Sequence, residues 1–347
     1  MKLILNMRIK PLSSLLLATV GLVTVSSLAM ADGSGTATSV KSYLLDRLTK
    51  MNAASEDYVK NSEAYVALVA ANGGKVEAAY AADPKKMDAL VDKLQKNYKA
   101  MDSYGYETVE GIVAGVPSLA KYDIYLDAGV PASKGPENVA PVVLDLGNGK
   151  TISKQGCLFT YLIEPMLWAG DKRWVVPVDG GKKFMPRPEV LLATAKDVNK
   201  KLGELLADAK KWNASEADCF GAMITMTPTL SDYFDDWKES RYAKDKSGRF
   251  QAVSRVSDMR GIMGSCQVMY GAVEKSVSEK DKALGKSVTS GFKGIMAFLD
   301  KIEAREKQGE ITSAEIDELA TQAKEKTDKL VPQIEQSAAV AGVKVSS

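Results

Sequence analysis

The 347-residue chain contains no histidine. That absence removes Ser-His-Asp and Cys-His nucleophile systems, HExxH metallopeptidase sites, His-ligated zinc or copper, and a histidine pH switch. Any metal site must use carboxylate, phenolate, carbonyl, thiolate or water ligands. Any proton transfer must run through Asp, Glu, Tyr, Lys or Cys. Aromatics are scarce at 7%, which speaks against an aromatic-lined sugar cleft. The three cysteines, Cys157, Cys219 and Cys266, are odd in number and widely spaced, so the chain is no disulfide scaffold. One exported pair and three buried free thiols both remain open readings. A large excess of one charge is missing too.

What is present begins with a secretory signal. Lys2, Arg8 and Lys10 precede an apolar stretch from Leu12 to Leu28, and Ala29-Met30-Ala31 supplies a small-x-small cleavage pattern. The expected mature chain starts near Asp32, and residues 1–31 form a signal peptide. No later stretch reaches the length of a membrane span. The expected destination is therefore outside the cytoplasm, in a periplasm or secreted to the cell surface. The signal carries three basic and no acidic residues. The full-length charge of +2, from 46 Lys+Arg against 44 Asp+Glu, therefore drops by three to −1 on cleavage. A near-neutral chain offers nothing to a polyanion, and no nucleic-acid partner is expected.

Most of the remainder has helical period. Asp83-Pro84 reads as cap and first helical residue, followed by Met87, Leu90, Val91, Leu94, Tyr98 and Met101 at three- and four-residue steps. A second apolar stripe runs from Pro188 to Trp212. Ser215 with Asp218, and Thr312 with Glu315, have capping-box spacing. Pro332 is expected to kink or end the last helix. Segments 38–71, 252–275 and 276–307 also fit helices. Two stretches alternate instead, Val142–Ile152 around Gly147-Asn148-Gly149 and Trp174–Met185 around Asp179-Gly180-Gly181, as hairpins do. Pro186-Arg187-Pro188 is the best boundary. The expected fold is all-α, with helical-bundle halves at 32–186 and 187–347 and a small β-hairpin excursion in the first.

The chemistry concentrates between residues 102 and 168. Glu107 and Glu110 stand three apart, on one face if that segment is a helix, and such a pair asks for a cation between its carboxylates. A solvated Glu-rich face is the simpler reading of ExxE alone. Asp123, Tyr125 and Asp127 follow. Tyr161 and Glu164 stand three apart within an otherwise apolar segment, where a buried carboxylate needs a partner. That partner is either a metal or a Lys/Arg elsewhere. Asp258 lies between Arg255 and Arg260, either in an ion-pair network or with an arginine holding an anion beside a metal.

The segment Ile163-Glu164-Pro165-Met166-Leu167-Trp168 resembles the end of the HxxE motif of imelysin-like proteins, a group that includes periplasmic iron-uptake binding proteins. The motif's histidine falls on Tyr161 and its glutamate on Glu164. Segments 101–117, 122–129, 154–165, 227–237 and 254–265 are more similar to the iron-assimilation proteins of green algae and the phytotransferrin domains of marine phytoplankton. The resemblance implies an imelysin-like helical protein that binds ferric iron with carbonate or bicarbonate as a synergistic anion and does not turn over a substrate. It further implies delivery to an iron permease in the membrane. The ligand pool it implies is Tyr161, Glu164, Glu110, Asp127, Asp123 and Asp258, with Arg255 and Arg260 as anion-holding residues and Glu107 behind the ligands. Oxygen donors suit a hard cation. A metal-independent anion or polysaccharide binder, and a carboxylate-pair hydrolase, are the competing readings.

Overall fold

A computed structural model describes residues 37–147, 149–243 and 251–345. The expected signal peptide, residues 1–31, lies outside the described residues. The chain is helical as expected. Helix α1 (Ala37–Ala71) leads through α2 (Val76–Ala82) to α3 (Pro84–Met101). Two short pieces follow, α4 (Glu110–Val113) and α5 (Lys121–Leu126). Strands β1 (Val143–Gly147) and β2 (Lys150–Ser153) form an antiparallel hairpin. A π-helical turn, Leu158–Ile163, runs into α6 (Glu164–Leu167). A second antiparallel hairpin pairs β3 (Val175–Val178) with β4 (Lys183–Pro186). The rest is α7 (Pro188–Lys211), α8 (Glu216–Met226), α9 (Tyr233–Lys238), α10 (Arg255–Ser278), α11 (Lys282–Lys307) and α12 (Ser313–Ala341). No helix among the described residues is long and apolar enough to cross a membrane.

The caps act where the sequence places them. The Asp83 carboxylate accepts the Lys86 N–H, and Ser215 and Asp218 close a full capping box, each cap contributing about 1 kcal/mol. Thr312 accepts the Glu315 N–H. Pro332 does not end its helix: α12 continues past it to Ala341. Leu330, Ile334 and Ala338 on either side are buried, and that packed face outweighs the lost backbone bond. The boundary at 186/187 is a turn between β4 and α7, yet α1 lies along α7 across it, and one apolar cluster spans both halves of the chain. All three cysteines are buried free thiols.

Helix α10 organises the centre. It packs on α4, α8 and α11 and against the 106–108 turn. Its approach is close because Gly261 faces the backbone of Glu107, where a Cβ would come within 2.5 Å of the carbonyl oxygen. On the other side, Gly111 faces Ser265 of α10 in the same way. This contact brings the acidic segment 102–110 against the first turn of α10, where Arg255 and Asp258 stand.

Candidate metal centre

The expected ExxE helix is broken. Tyr106–Thr108 is a 3₁₀ turn, Val109 leaves helical geometry at φ −124°, ψ −1°, and Glu110 begins α4. Both glutamates are nevertheless buried, each 2% exposed. Asp258 and Glu110 lie near enough to Glu107 for their charges to bear on it. Glu110 also accepts the Tyr233 hydroxyl at 2.6 Å.

Around them are five more acids from four places in the chain. Asp102 ends α3, Asp123 and Asp127 belong to α5 and its C-cap, Glu164 opens α6, and Asp258 sits in the first turn of α10. All but Asp127, which is partly exposed, are buried. One carboxylate oxygen each from Asp102, Glu107 and Asp127 lie within 4.8 Å of one another. An oxygen of Asp102 (Oδ1) and one of Glu107 (Oε2) have no hydrogen-bond partner among the described residues. Asp102, Asp127, Glu164 and Asp258 line a cavity of ≈ 10 Å³ together with Tyr98, Ser103, Thr160, Gln251, Val253 and Arg255. That is room for one water or one ion.

Seven carboxylates packed this way repel one another strongly. Burial first, then Asp127 and Asp258, push the Asp102 carboxyl well above the usual carboxylate range. Burial first, then Asp258 and Glu110, do the same to Glu107. Burial and then Asp127 raise Glu110 likewise and lift Asp123 to about 7. Burial lifts Asp258 to about 6, and the adjacent Arg255 restrains the rise. The Arg255 guanidinium donates to Asp258 at 2.6 Å. Burial opposes its charge, but Asp258, Asp127 and Glu107 outweigh that and hold it protonated. It is the one cationic side chain in the cavity lining among the described residues. Its Nε–H, and both polar atoms of the Gln251 amide, have no partner among the described residues.

The ligand pool from the sequence divides. Asp127, Glu164 and Asp258 line the cavity. Glu110 and Asp123 stand behind them, Asp123 accepting the Tyr106 hydroxyl at 2.8 Å. Glu107, expected behind the ligands, is one of the three clustered acids. Tyr161 is not in the lining. Its ring rests on Gly156, whose φ of +100° only glycine adopts readily and whose Cβ would come within 2.4 Å of that ring, with the Lys134 ammonium 5.5 Å from the ring centre. The reason is the π turn. Its i→i+5 bonding widens the turn, so Thr160 rather than Tyr161 shares a face with Glu164. Thr160 donates to Asp127 at 2.9 Å. Arg260 also lies elsewhere, paired with Asp300 and Glu303 of α11. Five residues along a helix from Arg255, it points to a different face.

Six lining residues escaped the sequence reading: Tyr98, Asp102, Ser103, Thr160, Gln251 and Val253. Asp102 carried a signal. It stands four residues after Tyr98, on the continuation of the apolar stripe of α3. Tyr98 and Asp102 do interact, and burial followed by Asp102 and Glu164 holds the Tyr98 phenol well above its usual range. Compared with known proteins, the chain matches no family model and no curated protein at a significant level.

Proposed function

We propose that this protein captures a hard, highly charged cation, ferric iron, with carbonate or bicarbonate beside it, and serves as an exported binding protein for iron uptake rather than as an enzyme. The observation that carries the reading is the Asp102, Glu107 and Asp127 cluster, whose oxygens converge within 4.8 Å. Two of those three residues hold buried oxygens with nothing to accept from among the described residues. Such lone pairs are costly unless a proton or a cation meets them. The donors are all oxygen, which suits a hard ion over a soft one. Their charge sums far beyond what Arg255 alone offsets, which favours a trivalent ion over a divalent one.

Asp102, Glu107 and Asp127 would hold the ion, beside the cavity that Asp102 and Asp127 line together with Glu164 and Asp258. Tyr98, in the cavity lining, is the phenol that would join them, in the role the resemblance implies for Tyr161. A phenol needs a strong Lewis acid to ionise at neutral pH. The unsatisfied Arg255 Nε–H and Gln251 amide are the donors for an anion's oxygens. Metal binding then displaces protons from acids that burial keeps protonated, so uptake is favoured at neutral pH and release in acid. A permease that receives the ion is part of the proposal.

Equilibrium dialysis of the purified protein against Fe³⁺ with bicarbonate tests this. One iron per chain is expected. Binding should weaken by about 100-fold or more in Asp127→Asn, as for loss of a direct ligand. No bound iron, or unchanged binding in the variant, would overturn it.

A further inference from the structure

The cavity is closed. Asp258 and Arg255 expose only 6% and 12% of their side chains, Asp102 is 7% exposed, and the space is no larger than one water. An ion exchanging its hydration shell for these ligands must move a wall. Most of the walls are helical: the end of α3, the π turn with α6, and the first turn of α10. Gln251 and Val253 come from a stretch, Gln251–Ser254, that is neither helix nor strand.

Among the described residues, three side-chain hydrogen bonds tie that stretch to other parts of the chain. The Ala252 N–H donates to Glu164 Oε1 at 2.6 Å. The Tyr242 hydroxyl donates to the Ala252 carbonyl at 3.1 Å. The Ser254 hydroxyl donates to Glu306 Oε1 at 2.5 Å, and the same Glu306 oxygen accepts the indole N–H of buried Trp237 at 2.5 Å. Ser254 is also the N-cap of α10, its Oγ accepting from the Val256 N–H. Glu306 thus joins α11, α9 and the start of α10 without lining the cavity.

We infer that Gln251–Ser254 is the door of the metal cavity, and that Glu306 is the positioning residue that holds it shut from outside. This rests on the metal-binding reading above. Glu164 holds the same door from within, at Ala252, but it also faces the ion, so its loss changes affinity and rate together. Glu306 touches no ion, so its loss changes rate alone. Stability of a local opening is set by the bonds that must break to reach it, and a hydrogen bond to a carboxylate is among the stronger ones.

Uptake of Fe³⁺ with bicarbonate, followed by stopped-flow quenching of tryptophan emission, and release to a strong chelator together test the door. In Glu306→Ala both rates should rise by about tenfold while Kd stays within about threefold. Glu306→Gln keeps an acceptor oxygen and should restore wild-type rates. Tyr242→Phe, a milder change at the other tie, should move both rates the same way by less. Unchanged rates in Glu306→Ala, or faster release with unchanged uptake, would overturn the proposal. Hydrogen exchange at the Ala252 amide in metal-free protein needs no iron: faster exchange in Glu306→Ala supports the door, and unchanged exchange rejects it even if the protein binds no metal.

Discussion

Two kinds of acid coexist in this chain. On the long helices, carboxylates face water and pair with lysines one turn away, as Asp328 does with Lys324 at 2.8 Å, both more than half exposed. In the 102–127 and 158–168 regions, helices are short, bent or widened, and acids turn inward with Arg255 among them. The outer pairs contribute little. The inner group works against folding unless protons or an ion occupy it. The scaffold is therefore a regular bundle whose irregular segments accumulate charge at one point. Breaking helical regularity is what lets acids distant in sequence meet.

The sharpest way to break this contrast is to remove the inner cation. Arg255→Met leaves Asp258 buried and unpaired and should lower stability by about 3–5 kcal/mol in urea unfolding. Removing an inner acid should act in the opposite direction. Glu107→Gln should stabilise the metal-free protein by about 1–2 kcal/mol while abolishing iron binding, which thermal melts with and without Fe³⁺ would show.

The pH dependence sharpens the same point. Asp123 and Asp258, raised from the ordinary aspartate value of 3.8 to about 7 and about 6, keep protons in the folded state that the unfolded chain has lost. Folded protein then binds more protons than unfolded, so metal-free stability falls as pH rises from 3.8 through 6 to 7. Iron affinity must run the other way, weakening as acidification through that window returns the protons. Melts and dialysis at pH 5 and 7.5 read both signs. Smaller effects separate neighbouring residues. Thr160→Val should weaken iron binding several-fold by freeing Asp127, while Tyr161→Phe should leave it unchanged. The smallest effect belongs to the outer pairs: Lys324→Met should cost less than about 0.5 kcal/mol.

The long helices and both hairpins were legible because period and caps are local signals. Asp83, Ser215 and the Gly147–Gly149 turn act through neighbours within a few residues. Whether Pro332 ends its helix depends on how firmly Leu330 and Ile334 are packed, which is tertiary information. At the centre, the burial of Glu164 was legible from a carboxylate set among apolar residues, whereas Glu107, Asp127 and Asp258 were singled out by the resemblance. Which side chains meet was not legible. Tyr161 and Thr160 exchange places because a π turn replaces an α turn. Glu107 and Glu110 part because Val109 breaks their helix. Asp102 becomes central only once Gly111 and Gly261 let α10 approach.

The central claim is that Asp102, Glu107 and Asp127 share one metal ion. Anomalous diffraction at the iron edge, from crystals grown with Fe³⁺ and bicarbonate, tests it most directly. The account predicts a single strong peak among those three carboxylates, with Tyr98 and Arg255 at its border. A peak beside Tyr161, or no ordered iron at all, would contradict it.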